Sequence, residues 1–285
     1  MRITTMWKRA AVVALLAFFA GCADDGINLF TVQDDAELGA EVAAEIESDP
    51  QTYPPYEGDP SVATYLETRV FEHILESPEI EYNDAFSYRV EIIDDPETLN
   101  AFALPGGRVY VYTGLLKYLD NEAALAGVLA HEIAHAERRH ATRRLTKYYG
   151  VSFLLSVLLG ENPSTVAEIA ANLFVGAAFL ANSRDDEYEA DEYSFKYLRD
   201  TRYYPGGVKF FFEQMRDQNL IDTSRSSVET FLSPHPDPID RISEIDERLN
   251  EANVPVVSWD AETRTDVYRE EYETNVKTPL STRTR

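Results

Sequence analysis

The chain has 285 residues, 44% of them hydrophobic, with 50 Asp and Glu against 26 Lys and Arg and a single cysteine. That content suits one globular domain with an ordinary core and excludes a disordered, collagenous or disulfide-stapled chain. A formal net charge of −24 would repel a phosphate backbone, so nucleic acid is not an expected partner and the acidity reads as a solvation property.

At the N-terminus, Arg2, Lys8 and Arg9 precede an apolar run from Ala10 to Ala20, the layout of a secretory signal over residues 1–21. The run is shorter than the roughly 20 residues a spanning helix needs. It ends Phe19-Ala20-Gly21-Cys22, which resembles a bacterial lipobox with Phe where Leu is commoner. Lipid on Cys22 is therefore the expected membrane link. Ala23, standing where Asp would signal inner-membrane retention, points to a periplasmic domain on the outer membrane.

Residues 22–60 are acidic and proline-rich apart from a helix expected over Asp34–Ser48, and read as a tether with a docking helix. A second helix fits Ser61–Glu76 with Ser61 as N-cap, and its lone His73 reads as structural. Phe86–Ile93 and Arg108–Tyr112 are β-branched and aromatic, and read as strands joined through Asn100-Ala-Phe-Ala-Leu-Pro-Gly-Gly107. Pro105 places that joining segment at a sheet edge. One long helix is expected from Asn121 to about Lys147. Two apolar stretches follow, Val151–Leu159 and Thr165–Ala181, expected to pack on the domain or shield a cleft. Helices fit Asp185–Asp200, Gly206–Gln218 and Pro238–Glu251, and residues 252–285 read as a polar tail.

The long helix carries His131-Glu132-Ile133-Ala134-His135, an H-E-x-x-H pattern. Positions four apart share a helix face, so both imidazoles can reach one Zn²⁺, with Glu132 offset by about 100° and free to hold a water beside it. A catalytic zinc wants a third protein ligand and one open position. The candidate is Glu187, with Asp191 one turn on to accept the other N–H of a ligand histidine; Glu189, the local rival, points off that face. His140 lies about 140° round the helix from His135 and takes an outer or structural place. His235 sits between Pro234 and Pro236 in a fixed loop, where it either approaches the open zinc position or is an ordinary surface residue, and Arg241 follows in the next helix as support for that loop or for an oxyanion.

These motifs, with Val109-Tyr-Val-Tyr-Thr-Gly-Leu115, Arg139-His140, Ser183-Arg-x-x-Glu-x-Glu-Ala-Asp191 and Ser233-Pro-His-Pro236, resemble the HtpX-like and CAAX-prenyl-protease-like zinc metallopeptidases. The similarity spans roughly Asp34 to Glu251 and, within that family, is to the periplasmic lipoprotein branch. It implies an α+β zincin (gluzincin) fold over a metallopeptidase domain at 61–251, helix-rich with a small sheet whose edge strand borders the active site. It also implies one Zn²⁺ on His131, His135 and Glu187, Glu132 as general base and Asp191 behind the ligands.

The expected activity is endoproteolysis of unfolded or misassembled envelope proteins, held as an added strand along Ala101, Phe102, Ala103, Leu104 and Pro105. The rival is an envelope chaperone that binds polypeptides at the same edge with little cleavage, against which the intact Glu132 argues. A weaker third is a zinc hydrolase of a non-peptide bond.

Overall fold

The computed structural model describes residues 28–149, 182–221, 234–261 and 265–281. The signal segment, Cys22 and the apolar stretches Val151–Leu159 and Thr165–Ala181 lie outside them. Among the described residues, no helix is long and apolar enough to cross a membrane.

Helix α1 (Val32–Ser48) starts in a capping box, where Thr31 and Asp34 exchange side-chain-to-backbone hydrogen bonds. Helix α2 (Pro60–Tyr65) is capped by Asp59, two residues before Ser61, because Pro60 occupies the first helical position where its missing N–H costs nothing. A π-helical turn (Leu66–Phe71) and α3 (Glu72–Leu75) continue it. Three strands follow, β1 (Arg89–Ile93), β2 (Ala101–Ala103) and β3 (Arg108–Tyr112), in the order β1-β3-β2 with β1 parallel and β2 antiparallel to β3. β2 lies at the sheet edge. Leu104 and Pro105, expected to extend that edge, instead enter the turn to β3: the Leu104 N–H already donates to Arg108 O, and Pro105 has no N–H to offer. The turn needs Gly106 and Gly107 at φ +79° and +93°, and Gly39 of α1 lets that helix lie directly on the Pro105 carbonyl.

The sheet separates two cores, as the period of two along a strand requires. Val109 and Val111 face the main core, whereas Tyr110 joins Phe102, Leu104, Leu38, Val42 and Ile46 beneath α1. After α4 (Thr113–Tyr118), the central helix α5 (Glu122–Glu137) begins at Asn121, whose side chain accepts from Ala124 N, and is buried along its whole length. The single long helix expected to Lys147 is broken. Arg139 adopts a left-handed conformation at φ 57°, with its guanidinium held by Asp35 of α1 and the Phe30 carbonyl, and α6 (His140–Tyr149) starts a new direction. Helices α7 (Arg184–Arg199) and α8 (Gly207–Asp217) pack on α5, and α9 (Pro238–Glu251) packs on both of them. Gly127 and Gly207 make the α5–α8 approach possible, since a Cβ on Gly127 would stand 2.0 Å from Val208 N.

The residues expected as a polar tail fold back over the domain. Val267, Tyr272 of α10 (Arg269–Tyr272), Val276 of a second π-helical turn (Glu273–Lys277) and Leu280 of α11 (Thr278–Ser281) all enter the main core. The Tyr272 hydroxyl donates to Leu116 O. The last three of these positions are apolar at intervals of four, a pattern hidden within a mostly charged stretch.

Candidate metal and catalytic site

One turn apart on α5, His131 and His135 turn their Nε2 atoms to within 2.9 Å of each other. Glu187, on the first turn of α7, meets both: its carboxylate oxygens lie 3.4 Å from His131 Nε2 and 3.2 Å from His135 Nε2. His235 closes the group, with Nδ1 3.1 Å from the Glu187 carboxylate and Nε2 3.6 Å from Glu132 Oε1. One ligand atom from each of His131, His135, Glu187 and His235 fits within a 4.8 Å cluster, and all four residues are buried. The surface-loop alternative for His235 is therefore overturned: the residue is 3% exposed, and its loop is tied down by a hydrogen bond from Asn182 N to Pro234 O.

Behind the cluster, His131 Nδ1 lies 2.9 Å from Asp191, which fixes the proton on Nδ1 and turns the Nε2 lone pair inward. Arg241 is fully buried and does not line the cavity beside the cluster. It donates from Nε and Nη2 to the two oxygens of Asp191 at 2.7 Å each, from Nη1 to Glu187 at 2.5 Å, and stacks over Phe212. Asn182 donates to Glu187 Oε1 at 2.6 Å. Its role was not legible in the sequence, where the only signal was its place just before the Ser183 cap. Glu189 points away, as its position predicts, to Arg138, Arg143 and His140.

This environment fits a metal cation. Two imidazole lone pairs and a carboxylate converge on one point, and Glu132 Oε1 beside them is buried without a hydrogen-bond partner. Two of the three carboxylates, Glu187 and Asp191, share one guanidinium, Arg241, and the third, Glu132, has only His235 Nε2 near it, at 3.6 Å. The electrostatics agree. Burial and Arg241 oppose a proton on His131, yet Asp191 and Glu187 overcome them and push its pKa up to about 9, so the site calls for positive charge. Burial raises the carboxyl of Glu132 above the ordinary range and holds His135 neutral. Glu187, in spite of burial, is kept ionised by His235 and Arg241. The nitrogen-and-oxygen donor set is that of a borderline cation.

A cavity of about 450 Å³ opens beside the cluster. Glu132, His135 and His235 lie at one side of it and Phe102, Ala103 and Tyr112 of the sheet at another, with Val42 and Ile46 of α1 forming a wall.

Residues 60–249 match the profile of peptidase family M48. The chain belongs to peptidase family M48. This supports the family to which the motifs point without singling out its HtpX-like or CAAX-prenyl-protease-like members. Mitochondrial metalloendopeptidase OMA1 of Schizosaccharomyces pombe is 32% identical over 167 residues, which cover 59% of this chain and 48% of that protein. The beta-barrel assembly-enhancing protease of Yersinia pestis is 32% identical over 164 residues, covering 54% and 33%. That of Escherichia coli K12 is 29% identical over 170 residues, covering 56% and 34%. The matched region thus spans between a third and a half of these relatives. Helix α1 and the C-terminal helices lie outside the M48 match, although both pack on the M48 fold.

Proposed function

We propose that the chain is a zinc-dependent endopeptidase of the bacterial cell envelope, acting on unfolded or misassembled proteins. The observation that carries the activity is the buried H-E-x-x-H cluster with Glu132 Oε1 unpartnered beside three converging ligand side chains, a base held ready next to a cation site. The envelope assignment is supported by the signal pattern of residues 1–21, the lipobox-like Phe19-Ala20-Gly21-Cys22 and the similarity to beta-barrel assembly-enhancing proteases. Lipid on Cys22 would tether the domain to the outer membrane, in keeping with the periplasmic lipoprotein branch.

Zinc bound by His131, His135 and Glu187 would supply Lewis acidity, lowering the pKa of a water molecule and polarising the scissile carbonyl. Glu132 Oε1 accepts the proton of the attacking water and returns it to the leaving amine, a role suited to a carboxyl whose basicity burial has raised. Substrate geometry comes from β2. Asn100 and Leu104 bond to β3 through Tyr112 N and Arg108 O, so the alternation of an antiparallel pair turns Phe102 inward and leaves Ala101 and Ala103 with outward N–H and C=O groups. An extended substrate added there reads main chain rather than sequence, which suits unfolded proteins.

His235 completes a fourth donor position, and a site closed by four protein ligands is inactive. We read this arrangement as a resting latch that substrate displaces. The chaperone alternative leaves the unpartnered Glu132 without purpose. Cleavage of an unfolded protein is expected for the zinc-loaded chain, abolished by a chelator and reduced at least about 100-fold in Glu132→Gln with zinc retained, because a positioned base contributes about 10²–10⁴-fold. Binding without cleavage, or near-normal turnover of that variant, contradicts the proposal.

A further inference from the structure

His140 stands outside the metal cluster but touches it. Its Nδ1 lies 2.7 Å from Nδ1 of His135, and its Nε2 lies 3.0 Å from Glu189 Oε2. We propose that His140 is a positioning residue that fixes the tautomer and ring orientation of His135, passing that constraint to a carboxylate clamped by two arginines. The inference rests on the reading of His135 as a metal ligand.

Once His135 Nε2 faces the metal, every proton along the chain follows. A neutral imidazole that offers one nitrogen as a lone pair carries its proton on the other, so His135 Nδ1–H must donate. His140 Nδ1 must then accept, which puts the His140 proton on Nε2, where Glu189 Oε2 accepts it. Glu189 cannot reverse this order, because Arg138 Nε donates to its Oε1 at 2.6 Å and Arg143 Nη2 to its Oε2 at 2.7 Å. His140 itself is 1% exposed, and both of its nitrogens already have a partner, in His135 and Glu189.

The backbone explains why a residue five positions on can serve. In an unbroken helix its side chain would point about 140° away from that of His135. The left-handed Arg139 redirects the chain and returns the His140 ring to 4.8 Å from that of His135, centroid to centroid. Arg139 is held in that turn by Asp35 of α1, so the helix outside the M48 match braces the relay. The two ligand histidines are thus supported differently, His131 by Asp191 directly and His135 by Glu189 at one ring's remove.

The test is zinc affinity, measured by competition with a chromophoric chelator on the folded chain. His140→Leu deletes the acceptor and is expected to raise the zinc Kd about 10–100-fold, the usual cost of losing an outer partner of a ligand histidine. His140→Asn places Oδ1 near the position of Nδ1 and is expected to restore most of that affinity. Loss of packing alone would not separate the two variants in this way. Imidazole ¹⁵N NMR of the zinc-loaded wild-type chain gives a second readout that needs no variant, with His140 expected to be protonated at Nε2 and bare at Nδ1. Wild-type affinity in His140→Leu, an Asn variant no better than Leu, or a proton on His140 Nδ1 overturns the relay. The ligand reading fails separately, if His135→Ala retains zinc.

Discussion

Two groups of metal-capable side chains lie on opposite sides of His135, and only one of them is short of positive charge. The His131, His135, Glu187 and His235 group, with Glu132 and Asp191, sets three carboxylates against Arg241 alone. The His140, Asp186 and Glu189 group has a similar composition and equally close spacing, yet its two carboxylates face two guanidiniums, Arg138 and Arg143. Burial opposes ionisation of Glu189, but hydrogen bonds from His140, Arg143 and Arg138 hold its carboxyl far below the ordinary range. Residue types and distances alone therefore do not identify a metal site. What distinguishes the first group is one guanidinium for three carboxylates and an acceptor oxygen, Glu132 Oε1, with no hydrogen-bond donor.

The contrast predicts unequal costs of removing an arginine. Arg241→Ala leaves Glu187 and Asp191 as buried carboxylates with no guanidinium, and is expected to destabilise the chain by about 3–5 kcal/mol in denaturant titrations. Arg143→Ala leaves Arg138 on Glu189 in a part-exposed setting, and about 1 kcal/mol is expected in the same titration. Equal losses would erase the distinction between a site with one counter-charge and a site with two. The smallest effect concerns His235. If it latches the fourth position, His235→Ala is expected to raise turnover of an unfolded substrate severalfold while zinc content stays unchanged, whereas a fall in turnover assigns it to transition-state support.

The metal side of this contrast was legible in the sequence because helix period is enough to put His131 and His135 on one face and Glu187 and Asp191 on another. The edge strand was legible through Pro105, although its last two residues belong to the turn. The outer place of His140 is legible, but its angle is not, because nothing local marks Arg139 as left-handed: the partners of Arg139, Asp35 and Phe30, are about a hundred residues away. Arg241 was placed near the site, yet its true partners on α7 depend on tertiary packing. The C-terminal helices were hidden for the same reason, since Tyr272, Val276 and Leu280 become a core stripe only once folded against α2 and α4.

The most direct measurement is the metal content of the purified wild-type, Glu187→Gln and Glu189→Gln chains, with X-ray absorption to identify the ion and its donors. We expect one zinc per wild-type chain with nitrogen and oxygen donors, its loss in Glu187→Gln, and its retention in Glu189→Gln. Two ions per chain, or an ion that survives in Glu187→Gln and disappears in Glu189→Gln, would contradict the account.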